Sequence, residues 1–94
     1  MKITIENGIE LHVYEDGSEE WFLDGKFHRI DGPAAYYPVN RYKSWWLNGK
    51  RHRLDGPSIE INDKPVSWDV YGRKVNCKTQ IEFERLVKLM VLWE

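Results

Sequence analysis

The sequence predicts a mainly β (α+β) protein, an antiparallel meander of repeated β-hairpins with one C-terminal α-helix packed on the sheet. Three observations predict it. A fourteen-residue segment beginning at Trp21 recurs without gaps at Trp45, 24 residues on. Each copy carries a turn dipeptide, Asp24-Gly25 or Asn48-Gly49, between short apolar runs. After Thr79 the apolar spacing changes from alternate positions to helical spacing.

The N-terminal residues 1–18 read as a strand or hairpin, with Tyr14-Glu15-Asp16-Gly17-Ser18 as a partial leading copy of the repeat. Residues 19–76 hold two full hairpin repeats and one degenerate one, and residues 79–93 a helix, all within a single domain of 94 residues. A chain of this length can enclose one modest core.

Within the repeat, Asp-Gly and Asn-Gly take positive φ at both central positions of a type I′ turn, which matches the twist of paired strands. The turn sets a register. Phe22 should face Phe27 and Trp21 should face His28; Trp46 should face Arg51 and Trp45 should face His52. By alternation Trp21, Leu23, His28 and Ile30 share one side, as do Trp45, Leu47, His52 and Leu54, and Trp68, Val70 and Val75 repeat the pattern. That side is expected to be the core. Asp31-Gly32-Pro33 and Asp55-Gly56-Pro57 end each hairpin, because proline donates nothing to a ladder and glycine bends freely. The last copy, Trp68 to Val75, keeps the tryptophan and the glycine but lacks the histidine and the Asp-Gly-Pro. Thr79-x-x-Glu82 is a capping box, and Phe83, Leu86, Val87 and Met90 lie on one helical stripe from about Gln80 to Leu92.

The formal charge of −1 argues against nucleic-acid binding driven by net charge, although the ends of the chain differ. Lys2 is the only strong base before Trp21, whereas Arg41 to Arg53 contains no acid. Cys77 is the only cysteine, so no disulfide forms within the chain, and no stretch approaches the roughly 20 apolar residues of a membrane span. These features lead us to expect a soluble cytoplasmic protein.

At Trp46-Leu47-Asn48-Gly49-Lys50-Arg51-His52 the chain resembles the aromatic-x-Asn-Gly-Lys-x-His core of MORN repeats. A MORN unit continues His-Gly-x-Gly; here Arg29 or Arg53 follows the histidine and the glycine arrives inside Asp-Gly-Pro. The longer form Asn-Gly-Lys-x-His-Arg-x-Asp-Gly-Pro also resembles repeats in bacterial and bacteriophage proteins. The resemblance spans Trp21 to Val75 and implies a hairpin array with a protein-contact or membrane-surface role.

Residue chemistry divides into two sets. Trp21, His28, Asp31, Trp45, His52, Asp55 and Trp68 recur with the repeat, so the economical reading is structural: a histidine nitrogen bonding a neighbouring turn, and an aspartate binding its turn or the nearby arginine. The rival readings of the histidines, a metal site or acid-base catalysis, are weaker. No Gly-rich phosphate loop and no cysteine-histidine metal spacing is present, and neither a catalytic site nor a cofactor is expected. The second set, Phe22, Phe27, Arg29, Trp46, Arg51 and Arg53, alternates away from the tryptophan side and mixes the residue types enriched at binding hot spots.

The expected function is therefore a small non-enzymatic protein-binding module, of the kind a phage or mobile element uses to dock on and inhibit a host protein. One alternative is a binder of phosphate-bearing ligands (nucleotide, nucleic acid or anionic lipid) through Arg29, Arg51, Arg53 and Lys43. The other is a self-assembling structural protein, with Met90-Val91-Leu92-Trp93 of the helix as a dimerising edge. Which side the helix covers decides whether the aromatic-arginine side is free.

Overall fold

A computed structural model describes the backbone of residues 1–93 and the side chains of residues 1–90. The chain is a meander of antiparallel strands closed by one C-terminal helix. Strands β1 (Lys2–Glu6) and β2 (Ile9–Val13) form a first hairpin, and β3 (Glu19–Leu23) pairs with β2 along its whole length. β4 (Lys26–Phe27) folds back on β3; β5 (Ala35–Tyr37), β6 (Tyr42–Ser44), β9 (Ile59–Ile61) and β10 (Lys64–Ser67) continue the main sheet in the order β1-β2-β3-β5-β6-β9-β10. Two small ribbons, β7 (Trp46–Leu47) with β8 (Lys50–Arg51) and β11 (Asp69–Val70) with β12 (Arg73–Lys74), project from it. Helix α1 spans Gln80–Trp93.

Each repeat is thus two hairpins joined end to end. One is a tip, as in β3-β4 or β7-β8; the other belongs to the main sheet, as in β5-β6 or β9-β10. The three tips turn at Asp24-Gly25, Asn48-Gly49 and Tyr71-Gly72, where the first residue has φ of 51°, 50° and 46° and the glycine 77°, 78° and 82°. This is the type I′ geometry, and it gives the register Phe22↔Phe27 and Trp46↔Arg51.

The tips are laced side by side. Gly49 N–H donates to Phe27 O at 2.9 Å and Gly72 N–H to Arg51 O at 2.8 Å. His28 Nδ1 accepts from Asn48 N–H and His52 Nδ1 from Tyr71 N–H, each at 3.0 Å. A histidine in one tip therefore satisfies the first turn amide of the next. Among the described residues no fourth tip lies beside the third, and Val75 stands where a histidine would be.

The buried apolar core sits at this end. Trp68, Val75 and Phe83 form it, with Val70, Cys77, Leu86, Val87 and Met90 packed around them. The side chain of Gln80 joins the helix to the array, accepting from Trp68 Nε1 at 2.9 Å and donating to Leu54 O at 3.1 Å. Thr79 Oγ1 accepts from Glu82 N–H, while the Glu82 carboxylate accepts from Lys78 N–H, one residue before the cap.

The core is smaller than the sequence expects: Trp21, Leu23, Trp45 and Leu47 are half-buried and lie outside its cluster, which takes only Trp68, Val70 and Val75 of the third copy from that side. Ile30 and Leu54 do not join it; they are 85% and 53% exposed. Strand alternation stops at Phe27 and Arg51, and the chain bends through Asp-Gly-Pro, so period-2 spacing no longer reports a side. The leading segment Tyr14–Ser18 is the turn between β2 and β3, closed by Gly17 N–H to Tyr14 O at 3.0 Å.

Candidate functional site

The repeat carries a different chemistry on each of its two sides. On the tryptophan side, Arg29 lies over the Trp21 ring at 4.1 Å and Arg53 over Trp45 at 3.8 Å. Each guanidinium is held by its own repeat: Arg29 Nε donates to Asp31 Oδ1 and its Nη1 to Pro33 O, and Arg53 Nε donates to Asp55 Oδ1 and its Nη1 to Pro57 O. Arg53 also pairs with Glu60 at 3.1 Å. The Arg29 guanidinium beside Asp31 draws its carboxyl below the usual range. The His-Arg-x-Asp-Gly-Pro segment is therefore a clamp that lays a cation on the repeat's own tryptophan. In the third copy Asn76 replaces the arginine, and the helix covers Trp68 instead.

On the opposite side the rings touch from tip to tip. His12 meets Phe22 edge-on at 4.8 Å, Phe22 stacks on Phe27 at 5.0 Å, and Phe27 leans against Trp46 at 5.4 Å. Arg51 continues the row, 5.6 Å from the Trp46 ring, and its Nε donates to Asp69 Oδ2 at 3.1 Å. Trp46 Nε1 is anchored on Ser44 Oγ at 2.8 Å. Trp46 and Asp69 hold equivalent positions in successive tips, so the row is a product of the repeat itself.

Of the six residues read from sequence as a binding set, Phe22, Phe27, Trp46 and Arg51 come together on this side. Arg29 and Arg53 do not. They lie on the tryptophan side, because the chain turns after His28 and His52: Arg29 N–H donates to Trp46 O and Arg53 N–H to Asp69 O in the next tip. Helix α1 packs on Trp68 and Val75, on the tryptophan side of the third tip, so the ring row lies on the face it does not cover. Val91–Trp93, most of the self-association edge read from sequence, lie outside the described side chains.

His12 is the member of the row that sequence reasoning missed. The signal was present, since Asn7-Gly8 is the same kind of turn dipeptide as Asn48-Gly49 and pairs β1 with β2. The next pairing, of β2 with β3, puts His12 opposite Glu20, with Phe22 two residues further along β3.

A buried polar cluster ends the row. Asp69 is fully buried; its Oδ2 accepts from Ser58 Oγ at 2.5 Å, Ser67 Oγ at 3.0 Å and Arg51 Nε, while Oδ1 has no hydrogen-bond partner. Burial pushes the Asp69 carboxyl up, but the hydrogen bonds from Ser58, Arg51 and Ser67 and the arginine charge outweigh it and hold the group below its ordinary value. A second polar clasp lies beyond Phe22, where the Tyr14 and Tyr37 hydroxyls both donate to Glu20, at 2.6 and 2.5 Å.

The cations that would serve a phosphate are already paired. Lys43 lies 3.8 Å from Asp63, which also holds Arg41. Arg29, Arg51 and Arg53 are paired with Asp31, Asp69 and Asp55. Burial and the neighbouring Glu82 push the Cys77 thiol up, the reverse of what a nucleophile needs. Among the described residues no three metal-ligating side chains come together, and no helix is long and apolar enough to cross a membrane. Comparison with family models, curated proteins and solved structures finds no match.

Proposed function

We propose that this protein is a small, non-enzymatic protein-binding module that docks through the row His12-Phe22-Phe27-Trp46. The observation that carries the reading is the contact of these rings across two successive tips, on the side away from α1. Rigid aromatic side chains in mutual contact lose little conformational freedom on binding, which favours them as interface anchors. The pairing of the arginines with carboxylates favours an apolar, aromatic-centred contact over a phosphate ligand. For repeats resembling those of bacteriophage proteins, a host protein inhibited by the docking is the partner class this reading favours.

The test is affinity capture with the tagged full chain, comparing wild type with Phe27→Ala, Trp46→Ala and the opposite-side variant Ile30→Ser. Arg51 is a poor probe because its loss would strand the Asp69 carboxylate. One protein retained by wild type and Ile30→Ser, and lost from both ring variants with their folds intact, is the expected result. Capture unchanged by the ring variants would overturn the reading. Binding should also survive added salt, which a phosphate ligand would not.

A further inference from the structure

The main sheet ends in two strands that are built differently. β10 carries Pro65 inside it, and its register with β9 slips between Pro65 and Ser67. A proline offers no N–H and a bulge twists an edge out of reach, so this edge is blunted. β1 has neither device. It runs Lys2-Ile3-Thr4-Ile5-Glu6 in unbroken register with β2, from Lys2↔Val13 to Glu6↔Ile9, and all five residues are exposed.

The hairpin decides which of its groups face outward. Asn7 and Gly8, with φ of 53° and 82°, form a two-residue turn, so Glu6 and Ile9 flank it as a hydrogen-bonded pair. Hydrogen-bonded and non-bonded pairs alternate along an antiparallel ladder. The N–H and C=O of Lys2, Thr4 and Glu6 therefore turn toward β2, and those of Ile3 and Ile5 point away from the sheet.

We propose that this edge is a homodimer interface, in which β1 of a second copy pairs antiparallel with it about a two-fold axis at Thr4. In that register Ile3 lies opposite Ile5 of the partner subunit, and the outward N–H and C=O groups of the four isoleucines form hydrogen-bonded pairs. Thr4 meets Thr4 of the partner subunit in a non-bonded pair, where side chains approach most closely. Lys2 stands opposite Glu6 of the partner subunit, and the same ion pair recurs across the axis.

A second copy is the occupant because the segment is complementary to its own reversal: base to acid, isoleucine to isoleucine, threonine to threonine. Opposite charges and paired threonines are the cross-strand combinations that stabilise a ladder. Moving the axis to Ile3 or Ile5 would place Lys2 opposite Thr4, or Glu6 opposite Thr4, and leave the charges unpaired. Parallel in-register pairing would set lysine on lysine and glutamate on glutamate. Pairing of β1 with the other edge of a second molecule, which would build filaments, is opposed by Pro65. Ile3 and Ile5, 48% and 68% exposed, lie on the same side as His12 and Phe22, so the dimer joins two ring rows into one continuous face. The interface itself does not depend on those rows binding a protein.

The measurement is sedimentation equilibrium of the full chain over a concentration series. Wild type should show a weak, reversible monomer–dimer equilibrium, as befits an edge of five residues. Lys2→Glu and Glu6→Lys should each weaken association roughly tenfold, since two attractive pairs per dimer become repulsive. Within the chain these side chains face Val13 and Ile9, so reversal leaves the fold its contacts, and unchanged melting would verify this. An equimolar mixture of the two variants should restore the dimer, because each supplies the sign that the other lacks. The double variant Lys2→Glu/Glu6→Lys should associate like wild type. A wild type monomeric up to about 1 mM, variants that associate like wild type, or a mixture that fails to recover would each overturn the proposal.

Discussion

Arg53 and Gly56 adjoin so closely that a methyl group on the glycine would meet the guanidinium carbon at 2.6 Å; Gly32 and Arg29 repeat the relationship at 2.8 Å. The glycine of Asp-Gly-Pro is thus the floor on which the arginine lies as it covers its tryptophan. Gly56→Ala should displace Arg53 from Trp45, Asp55 and Glu60 and destabilise the fold by about 1–2 kcal/mol. In an Arg53→Ala background the same change should cost less than about 0.5 kcal/mol, and urea denaturation of the double-mutant cycle measures the difference.

His52 predicts a pH dependence. Its Nδ1 accepts a backbone N–H from Tyr71, and burial lowers its pKa below the ordinary imidazole value. The unfolded chain then binds the proton more tightly than the folded one. The histidine's contribution is complete above the unfolded value of about 6.5 and is lost as pH falls through the lower folded value. His52→Asn, which offers an acceptor near the same place without titrating, should show a smaller fall in melting temperature than wild type between about pH 7 and 5. An equal fall in both would place the dependence elsewhere.

The turn chemistry explains how far the sequence could be read. Asp24-Gly25 and Asn48-Gly49 specify their hairpins because few other dipeptides accept two positive φ values in succession, and with the turns came the facing pairs Phe22↔Phe27 and Trp46↔Arg51. The side on which Arg29 and Arg53 lie was not legible. It depends on a bend after each histidine, set by hydrogen bonds to the following tip, 17 residues away for Arg29 N–H to Trp46 O. Ile30 and Leu54 mislead for the same reason, being apolar at alternate positions after the ladder has ended. The turn at Asn62-Asp63, with φ of 53° and 63°, carries no glycine to announce it. The buried Asp69 looks in sequence like any surface carboxylate, because only tertiary contact brings Ser58, Ser67 and Arg51 onto it.

Helix α1 substitutes for a missing neighbour, so its contacts should be the most costly to remove. Phe83 is 1% exposed and fills the space against Trp68 and Val75. Phe83→Ala should cost about 3–5 kcal/mol, the usual loss for a buried aromatic truncated in place. Gln80→Ala should cost about 1–2 kcal/mol by releasing the Trp68 indole and Leu54 O together. The chain holds five tryptophans, so the part of the emission change that Trp68→Phe removes would report the helix contact through the unfolding transition, and its early loss in Gln80→Ala is the expected outcome.

Asp69 joins the polar interior of the last tip to the ring row, and its replacement separates charge from shape. Asp69→Ala leaves Ser58 and Ser67 without their acceptor and Arg51 without its counter-charge, a change expected to cost about 2–4 kcal/mol. Asp69→Asn keeps the volume and one acceptor oxygen but loses the charge that Arg51 faces, so its cost should be smaller at neutral pH. The gap between wild type and Asp69→Asn should close in acid. The native carboxyl is held below its ordinary value, so its stabilisation is complete above the unfolded value of about 3.9 and is lost as pH falls through the folded one. Stability measured from pH 7 down to about pH 2 should therefore fall more steeply for wild type than for Asp69→Asn. Parallel curves would mean that the folded carboxyl is not held below its unfolded value.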